Sequence, residues 1–260
     1  MEGVSRSLHT LWTITKHEFA LYWVSPIAYI VGGVWLFFSS LFFSLNLNQL
    51  NQSGGNAFFG GGMSPNDALS STLNTMAFLL IFLAPGLTMR LVSEEIRSGT
   101  HELLLTSPVH DWEVIVGKWL AVWGVFTVFI LISLIYPALL LWRGTPDRTQ
   151  ILTAYLGYWI WAGAVLAIGV LASALTQYQL VAFIISVVTT VAMFIANAFG
   201  NLITQPTLGE VFRQLTLTAH YQETMLNGTL KWVDLAYFIG LIALCLFLAT
   251  QFLNSRRWRA

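Results

Sequence analysis

The chain has 260 residues, of which 56% are hydrophobic and 9% are charged, and its formal net charge is zero. Its mean hydropathy of +0.70 excludes a soluble globular domain, because too little polar surface remains to keep such a domain dissolved. The balanced charge and the lack of a basic stripe argue against binding of nucleic acid. This composition is typical of a protein embedded in a lipid bilayer.

The first predicted element is an amphipathic helix over residues 1–25, before the first long apolar run. Trp12 and Phe19 belong to a set of apolar side chains that recur at helical spacing in "LHTLWTITKHEFALYW". Lys16 and Glu18 occupy the other side of this helix. The pattern is typical of an interfacial helix that lies flat on a membrane surface. Simple anchoring and contact with a partner protein are both open roles for it.

Six apolar runs follow, each long enough to cross a bilayer as a helix. They are continuously apolar, whereas the strands of a membrane β-barrel would alternate in polarity. Pro26 is placed to begin the first run, and Pro137 is expected to kink the third, which is unusually long. We predict an all-α integral membrane protein with one transmembrane domain over 26–260 and spans at 26–46, 72–92, 117–142, 151–174, 179–200 and 233–253.

The distribution of basic residues predicts which side of the membrane each loop faces. Most of the twelve Lys and Arg residues lie on the inner side if the N-terminus is cytoplasmic, and the tail "NSRRWRA" fixes the C-terminus there too. The outer loop at 47–71 has neither Lys nor Arg. We therefore predict a multi-pass membrane protein with both termini in the cytoplasm, which places residues 93–116 in the cytoplasm as well.

The predicted spans carry almost no ionisable groups in their interiors, which weighs against an ion-coupled transporter or a pump. Arg90 and Asp234 lie near span ends, where snorkelling or an interfacial position accounts for them. The sequence has no His-Glu-x-x-His pattern, no Gly-x-x-x-x-Gly-Lys loop, and no Ser with a basic partner within a span. We expect no catalytic residue and no metal site, so a partner must supply the energy for any transport.

The cytoplasmic stretch "SEEIRSGTHELLLTSP", residues 93–108, is unusually charged for its surroundings. Ser93 is a candidate N-cap for a short helix that Gly99 ends, and Thr100 is a candidate cap for a second. Asp111 is expected to cap the helix that leads into the third span. The charges would form a docking surface for a partner, while an ordinary amphipathic loop among lipid headgroups is the alternative.

Three stretches, "KHEFALYWVSPIAYI", "SEEIRSGTHELLLTSPVHDWEVIVGKWLA" and "YPALL", resemble ABC-2-type transporter permeases, in particular the gliding-motility-associated and nitrous-oxide-reductase-maturation branch. The resemblance covers nearly the whole chain and is most specific over residues 94–118. It implies a permease subunit that pairs with a second permease subunit, identical or different, and docks on a separate cytoplasmic ATP-binding subunit. ATP and Mg²⁺ would be bound by that subunit and no cofactor by this chain.

In this family the segment between the second and third spans is a coupling helix that inserts into a cleft of the ATPase, and the N-terminal helix lies against the ATPase too. The resemblance assigns coupling to Glu94, Glu95, Arg97, Gly99, Thr100 and Glu102, with Leu103, Leu104 and Leu105 as the membrane anchor. It leaves open the substrate, its direction of movement and an extracytoplasmic accessory protein. The alternatives are a membrane scaffold through which an ATPase works on an extracytoplasmic complex, and a membrane enzyme that acts on lipids.

Overall fold

The computed structural model describes residues 2–53, 64–99, 110–143, 146–202, 214 and 216–257, and this part of the chain is helical, without strands. The helices are α1 (Glu2–Val24), α2 (Pro26–Ser53), α3 (Pro65–Thr88), α4 (Ser93–Ser98), α5 (Asp111–Ser133), α6 (Ile135–Arg143), α7 (Arg148–Leu175), α8 (Gln179–Leu202), α9 (Leu217–Gln222) and α10 (Trp232–Arg257). A 3-10 helix, Met225–Asn227, lies between α9 and α10. Six helical segments are long and apolar enough to cross a membrane, which confirms the predicted all-α membrane fold.

Two of the predicted spans begin later than the helices do, because polar first turns lower the local hydropathy. The second span, predicted from 72, begins at Pro65, where Ser64 and Asp67 form a capping box. The Asp67 backbone N–H donates to Ser64 Oγ at 3.1 Å, and the Ser64 N–H donates to the Asp67 carboxylate at 3.0 Å. Pro26, by contrast, is the first residue of α2, as predicted.

The third span, predicted from 117, begins at Asp111. The prediction that Asp111 caps this helix is wrong, because His110 has the extended backbone of the N-cap and Asp111 is already helical. Glu113 completes the start of the helix, since its Oε2 accepts the backbone N–H of His110 at 3.3 Å. The helix therefore has nearly two turns before the predicted start, a shift that matters for Lys118 below.

The third span is interrupted, as Pro137 led us to expect, but the break lies at Leu134, between α5 and α6. Proline has no backbone N–H, so the carbonyl of Ser133, four residues earlier, loses its helical donor. The hydroxyl of Tyr155 in α7 donates to this carbonyl instead, at 3.0 Å. A side chain of the neighbouring span thus satisfies a backbone group that would be costly to leave unpaired in the bilayer.

Helix α7 is the centre of the bundle and packs against α3, α5, α8 and α10. Its sequence "WAGAVLAIGVLASAL" places small residues on every face, which lets neighbouring backbones come close. A Cβ added to Gly157 would lie 2.6 Å from Met225 Sδ, and one added to Gly163 would lie 3.0 Å from Trp123 Nε1. The close packing around α7 therefore depends on glycines at these contact points.

Three tryptophans join α5 to α7. The rings of Trp119, Trp123 and Trp159 stack in succession, with centroids 4.8 and 4.1 Å apart. The indole N–H of Trp119 donates to the Gly163 carbonyl at 3.0 Å, and that of Trp123 donates to the Trp159 carbonyl at 3.1 Å. These aromatic residues belong to the interior packing between two spans, where each indole N–H has a partner.

Short helices close the opposite end of the bundle, between the fifth and sixth spans. The side chain of Gln150 in α7 donates to the Leu226 carbonyl at 2.9 Å and accepts from Asn66 in α3 at 2.6 Å. Tyr221 of α9 is buried against Tyr158 and Trp161. This end of the bundle is therefore held by polar contacts around Gln150 and by an aromatic cluster.

The substitution Tyr155→Phe removes the donor to the Ser133 carbonyl, and we expect it to lower the free energy of unfolding by about 1 kcal/mol. Pro137→Ala restores an N–H at the position where an α-helix supplies it. Tyr155→Phe should therefore cost less in a Pro137→Ala background than in the parent chain. Unfolding of the four chains in detergent micelles measures this coupling, and an equal cost in both backgrounds would contradict the assignment.

Candidate functional site

Helix α1 packs along α5 at one end of the bundle, where α2 begins and α3 ends. A Cβ added to Gly117 would lie 2.9 Å from Ile14 Cγ2, and one added to Gly124 would lie 3.4 Å from the Phe19 ring, so the two helices approach closely. Phe19 packs against the core, whereas Trp12 is 66% exposed and Lys16 is exposed as well. The predicted apolar face of α1 is therefore divided between the protein and the surface.

Lys118 brings three elements of this end together. Its Nζ donates to Glu18 Oε1 of α1 at 2.6 Å and to Glu95 Oε1 of α4 at 2.8 Å. The Lys118 side chain is only 4% exposed, against 17% for Glu18 and 29% for Glu95. We call these three residues the Lys118 cluster. It ties the N-terminal helix and the short helix α4 to the third span.

The Lys118 cluster contains one ammonium and two carboxylates, and the ammonium is the most deeply buried of the three. Moving a cation out of water is costly unless ion pairs replace its hydration, and two short pairs do so here. Sequence analysis missed this role of Lys118, because a span predicted from 117 placed it at the membrane surface. If the helix is taken to begin at Asp111, Lys118 lies within it as a lone lysine among apolar residues, and this pattern could have indicated a buried ion pair.

A serine of the fourth span holds the first turn of α4. The backbone N–H groups of Val92 and Ser93 donate to Ser173 Oγ at 3.1 and 3.0 Å, and that hydroxyl donates to the Met89 carbonyl at 3.0 Å. The prediction that Ser93 is the N-cap is wrong, because its own hydroxyl donates back to the Met89 carbonyl. Ser173 satisfies helix N–H groups that lack partners within the helix.

The outward side of α4 is exposed. Glu94 pairs with Arg90 at 3.0 Å, with about half of the Glu94 side chain exposed, and Arg97 and Gly99 are exposed too. Gly99 has a φ of 72°, in the left-handed region that favours glycine, and it ends the helix as predicted. Among the predicted coupling residues, Glu95 therefore faces the protein while the others named here face outward. The remaining ones, Thr100, Glu102, Leu103, Leu104 and Leu105, lie outside the described residues.

A cleft of about 380 Å³ opens beside the Lys118 cluster, between α1, the end of α3, α4 and α5. Its lining combines apolar and charged groups: Glu18, Leu21, Tyr22, Ser25, Ile27, Leu87, Arg90, Leu91, Glu94, Glu95, Ser98 and Lys118. The Tyr22 hydroxyl donates to the Leu87 carbonyl at 2.7 Å and links α1 to α3. Burial, reinforced by the nearby Glu18 carboxylate, raises the pKa of Tyr22 well above its usual range, so Tyr22 remains a donor.

A second polar pair lies at the opposite end of the bundle. Asp234 Oδ1 is 2.8 Å from His220 Nδ1, and the His220 ring stacks on Tyr237 with centroids 4.1 Å apart. Asp234 lies near a span end as predicted, at the third residue of α10, but it is 3% exposed and so does not snorkel to water. Burial with a paired histidine accounts for it instead. Arg90, the other charged residue predicted near a span end, is half-exposed as expected.

The described residues contain no group of three His, Cys, Asp or Glu side chains that could hold a metal ion. Cys245, the chain's single cysteine, is buried in α10. Within the described part of the chain, the site with the most charged contacts is therefore the Lys118 cluster, with its cleft and the exposed side of α4. Its geometry suits mechanical connection between helices and the docking of a partner.

We expect Lys118→Met to lower the free energy of unfolding by on the order of 3 kcal/mol, because two carboxylates would face each other without their shared cation. The triple variant Lys118→Met/Glu18→Gln/Glu95→Gln leaves no unpaired charge and should recover most of this loss. Lys16→Met, an exposed control on α1, should change stability by less than about 0.5 kcal/mol. Denaturant unfolding in micelles tests the series, and equal losses for the single and triple variants would overturn the ion-pair account.

Comparison with known proteins gives one match of wide coverage. The family model described as ABC-2 family transporter protein matches residues 12–257, which include all six spans, the Lys118 cluster and α4. A search of curated proteins gave no significant match. The match covers far more than half of the chain and confirms the resemblance to ABC-2-type permeases, whereas the particular branch named from the sequence stays a prediction. The protein belongs to the ABC-2 family of transporter proteins and is a multi-pass membrane permease.

Proposed function

We propose that this chain couples ATP hydrolysis by a separate cytoplasmic ATP-binding subunit to the movement of a substrate across or out of the membrane. It works as one of two permease subunits in the cytoplasmic membrane, with both termini in the cytoplasm and no catalytic site of its own. ATP and Mg²⁺ are bound by the ATPase. The observation that carries this proposal is that α4 is exposed on one side and held on the other by α5 and α7, with α1 joined to it through Lys118.

The contacts of α4 support a role in transmitting force. Glu95 joins it to Lys118 in the third span, and through Lys118 to Glu18 in α1. Ser173 joins its first turn to the fourth span, which is the central helix of the bundle. A force applied to the exposed side of α4 is therefore transmitted through short polar contacts to α5, α1 and α7. Thr100, Glu102 and the three leucines at 103–105 lie outside the described residues, and their assignment to the ATPase contact rests on the sequence resemblance alone.

The exposed residues of α4 are the ones we assign to the ATPase contact. Glu94, Arg97 and Gly99 present both signs of charge and a helix end without side-chain bulk. Glu95 has a different task in this proposal, since its carboxylate orients α4 against the third span. On α1, Trp12 and Lys16 are exposed and available for the same partner, whereas Glu18 and Phe19 fix the helix to the bundle.

Apolar side chains exposed on the outer spans are compatible with assembly of two permease subunits in a bilayer. Phe37 of α2, Leu180 of α8 and Phe247 of α10 each have more than half of their surface exposed. In a membrane such faces are covered by lipid or by a second subunit. The pairing of permease subunits is general in this family, and these faces are where it can occur.

The substitution Gly99→Pro should abolish recovery of the ATP-binding subunit when this chain is used as bait in mild detergent. Proline requires a φ near −65°, which Gly99 at 72° cannot adopt without moving the end of α4. Gly228, with a φ of 84°, is a matched glycine at the other end of the bundle. Gly228→Pro should leave recovery of the ATPase unchanged as long as the chain elutes as a folded species.

Mass spectrometry of the eluates decides between the outcomes. An ATP-binding subunit that is present with the parent chain and with Gly228→Pro, but absent with Gly99→Pro, supports docking on this segment. Recovery of the ATPase with all three chains would show that the ATPase docks at another site. Failure to recover an ATPase with the parent chain would refute the coupling proposal. An extracytoplasmic protein in the same eluate would identify the accessory partner that the sequence left open.

A further inference from the structure

The cleft beside the Lys118 cluster has features that ATPase docking does not require. Ile27, which lines it, is the second residue of α2, and Leu87 is next to the last residue of α3. The cleft therefore lies where two spans meet the membrane surface. This is the depth at which lipid headgroups lie, and polar groups at this depth are within reach of them.

The surface next to the cleft is apolar and exposed. Val24 is 83% exposed and Ile30 is 63% exposed, and they flank the lining residues Ser25 and Ile27 along the chain. Leu21, which lines the cleft itself, is also about half exposed. Exposed aliphatic side chains at the start of a membrane span are covered by acyl chains in a bilayer. The cleft is thus polar within and continuous with a surface suited to lipid tails.

The charged groups of the cleft have donor and acceptor atoms that could form hydrogen bonds with a ligand. Arg90 donates its Nε–H to Glu94 at 3.0 Å and has further N–H donors on its terminal nitrogens. Glu18 and Glu95 each use Oε1 to bind Lys118, and each has a second carboxylate oxygen. The half-exposed Arg90 can therefore bind a phosphate, and the carboxylates beside it can accept from an ammonium.

The balance of charge favours a ligand that carries both signs. Three carboxylates and two cations line the cleft, which leaves one negative charge in excess. A purely anionic headgroup would be repelled by this excess negative charge. A headgroup with one phosphate and one ammonium has no net charge and would not add to the excess. An ammonium with N–H groups can also donate hydrogen bonds to the carboxylates, which a quaternary ammonium cannot do.

We propose that this cleft binds the headgroup of an aminophospholipid, with its phosphate on Arg90 and its primary ammonium on Glu94 and Glu95. The acyl chains lie over the apolar surface that includes Leu21 and Ile30. The bound lipid fills the space between α1, α3 and α4 and holds the N-terminal helix to the bundle. The lipid site belongs to the permease chain itself, so its occupation does not depend on the ATPase.

Thermal unfolding of the purified, delipidated full-length chain in detergent micelles tests the proposal. The micelles are titrated with phosphatidylethanolamine, phosphatidylcholine or phosphatidylglycerol, and in a further arm with free phosphoethanolamine. Phosphatidylethanolamine should raise the unfolding midpoint saturably, with an apparent affinity at least tenfold above that of either other lipid, because it alone pairs a phosphate with an N–H-bearing cation. Equal stabilisation by the three lipids, or by free phosphoethanolamine alone, would overturn the proposal.

Two variants locate the effect. Arg90→Gln should weaken the apparent affinity for phosphatidylethanolamine at least tenfold, and Arg97→Gln, an exposed arginine nearby that does not line the cleft, should leave it unchanged. Leu21→Trp fills the cleft from a half-exposed position without removing a charge, so it tests the site even if Arg90→Gln proves unstable. Full lipid stabilisation in both Arg90→Gln and Leu21→Trp would place the lipid elsewhere and refute the assignment.

Discussion

The arrangement of this end of the protein depends on a single buried cation. Lys118 is placed inside an apolar helix, where its charge is tolerated only because Glu18 and Glu95 reach it from two other elements. That requirement fixes the position of α1 along α5 and turns α4 so that Glu95 faces inward. The exposed side of α4 and the cleft beside it follow from the same constraint, so both proposed roles of this region have one physical origin.

The two ends of the bundle are held together in different ways. The end with the Lys118 cluster uses ion pairs between helices, with part of the charged surface exposed. The opposite end uses buried tyrosines, the polar contacts of Gln150 and the His220–Asp234 pair. Helix α7 connects them, because its small side chains allow α3, α5 and α10 to pack closely around it. A central helix that packs against both ends suits the transmission of motion proposed for this permease.

The sequence predicted what depends on composition and local pattern. The six spans, the N-terminal helix and the glycine that ends α4 are recognisable because hydropathy, helical spacing and backbone preference are local properties. The first turns of α3 and α5 are polar, so hydropathy predicted that both spans begin later than they do. Lys118 was therefore predicted at the membrane surface. The sequence named Glu95 as a coupling residue, which stays a prediction, but a pattern along the chain cannot tell that its carboxylate faces Lys118. Ser173 and Tyr155 carried no signal, since a serine or tyrosine in a span becomes informative only when the opposing backbone is known.

The order of the Lys118 cluster along the chain has a consequence for biogenesis. Glu18 and Glu95 both precede Lys118 in the sequence, so both counter-charges have been synthesised before the lysine leaves the ribosome. They also lie at the same end of the bundle as the start of α5. With this end in the cytoplasm, as proposed above, both carboxylates would be available to Lys118 when the third span enters the bilayer, and no charge of this cluster would be translocated.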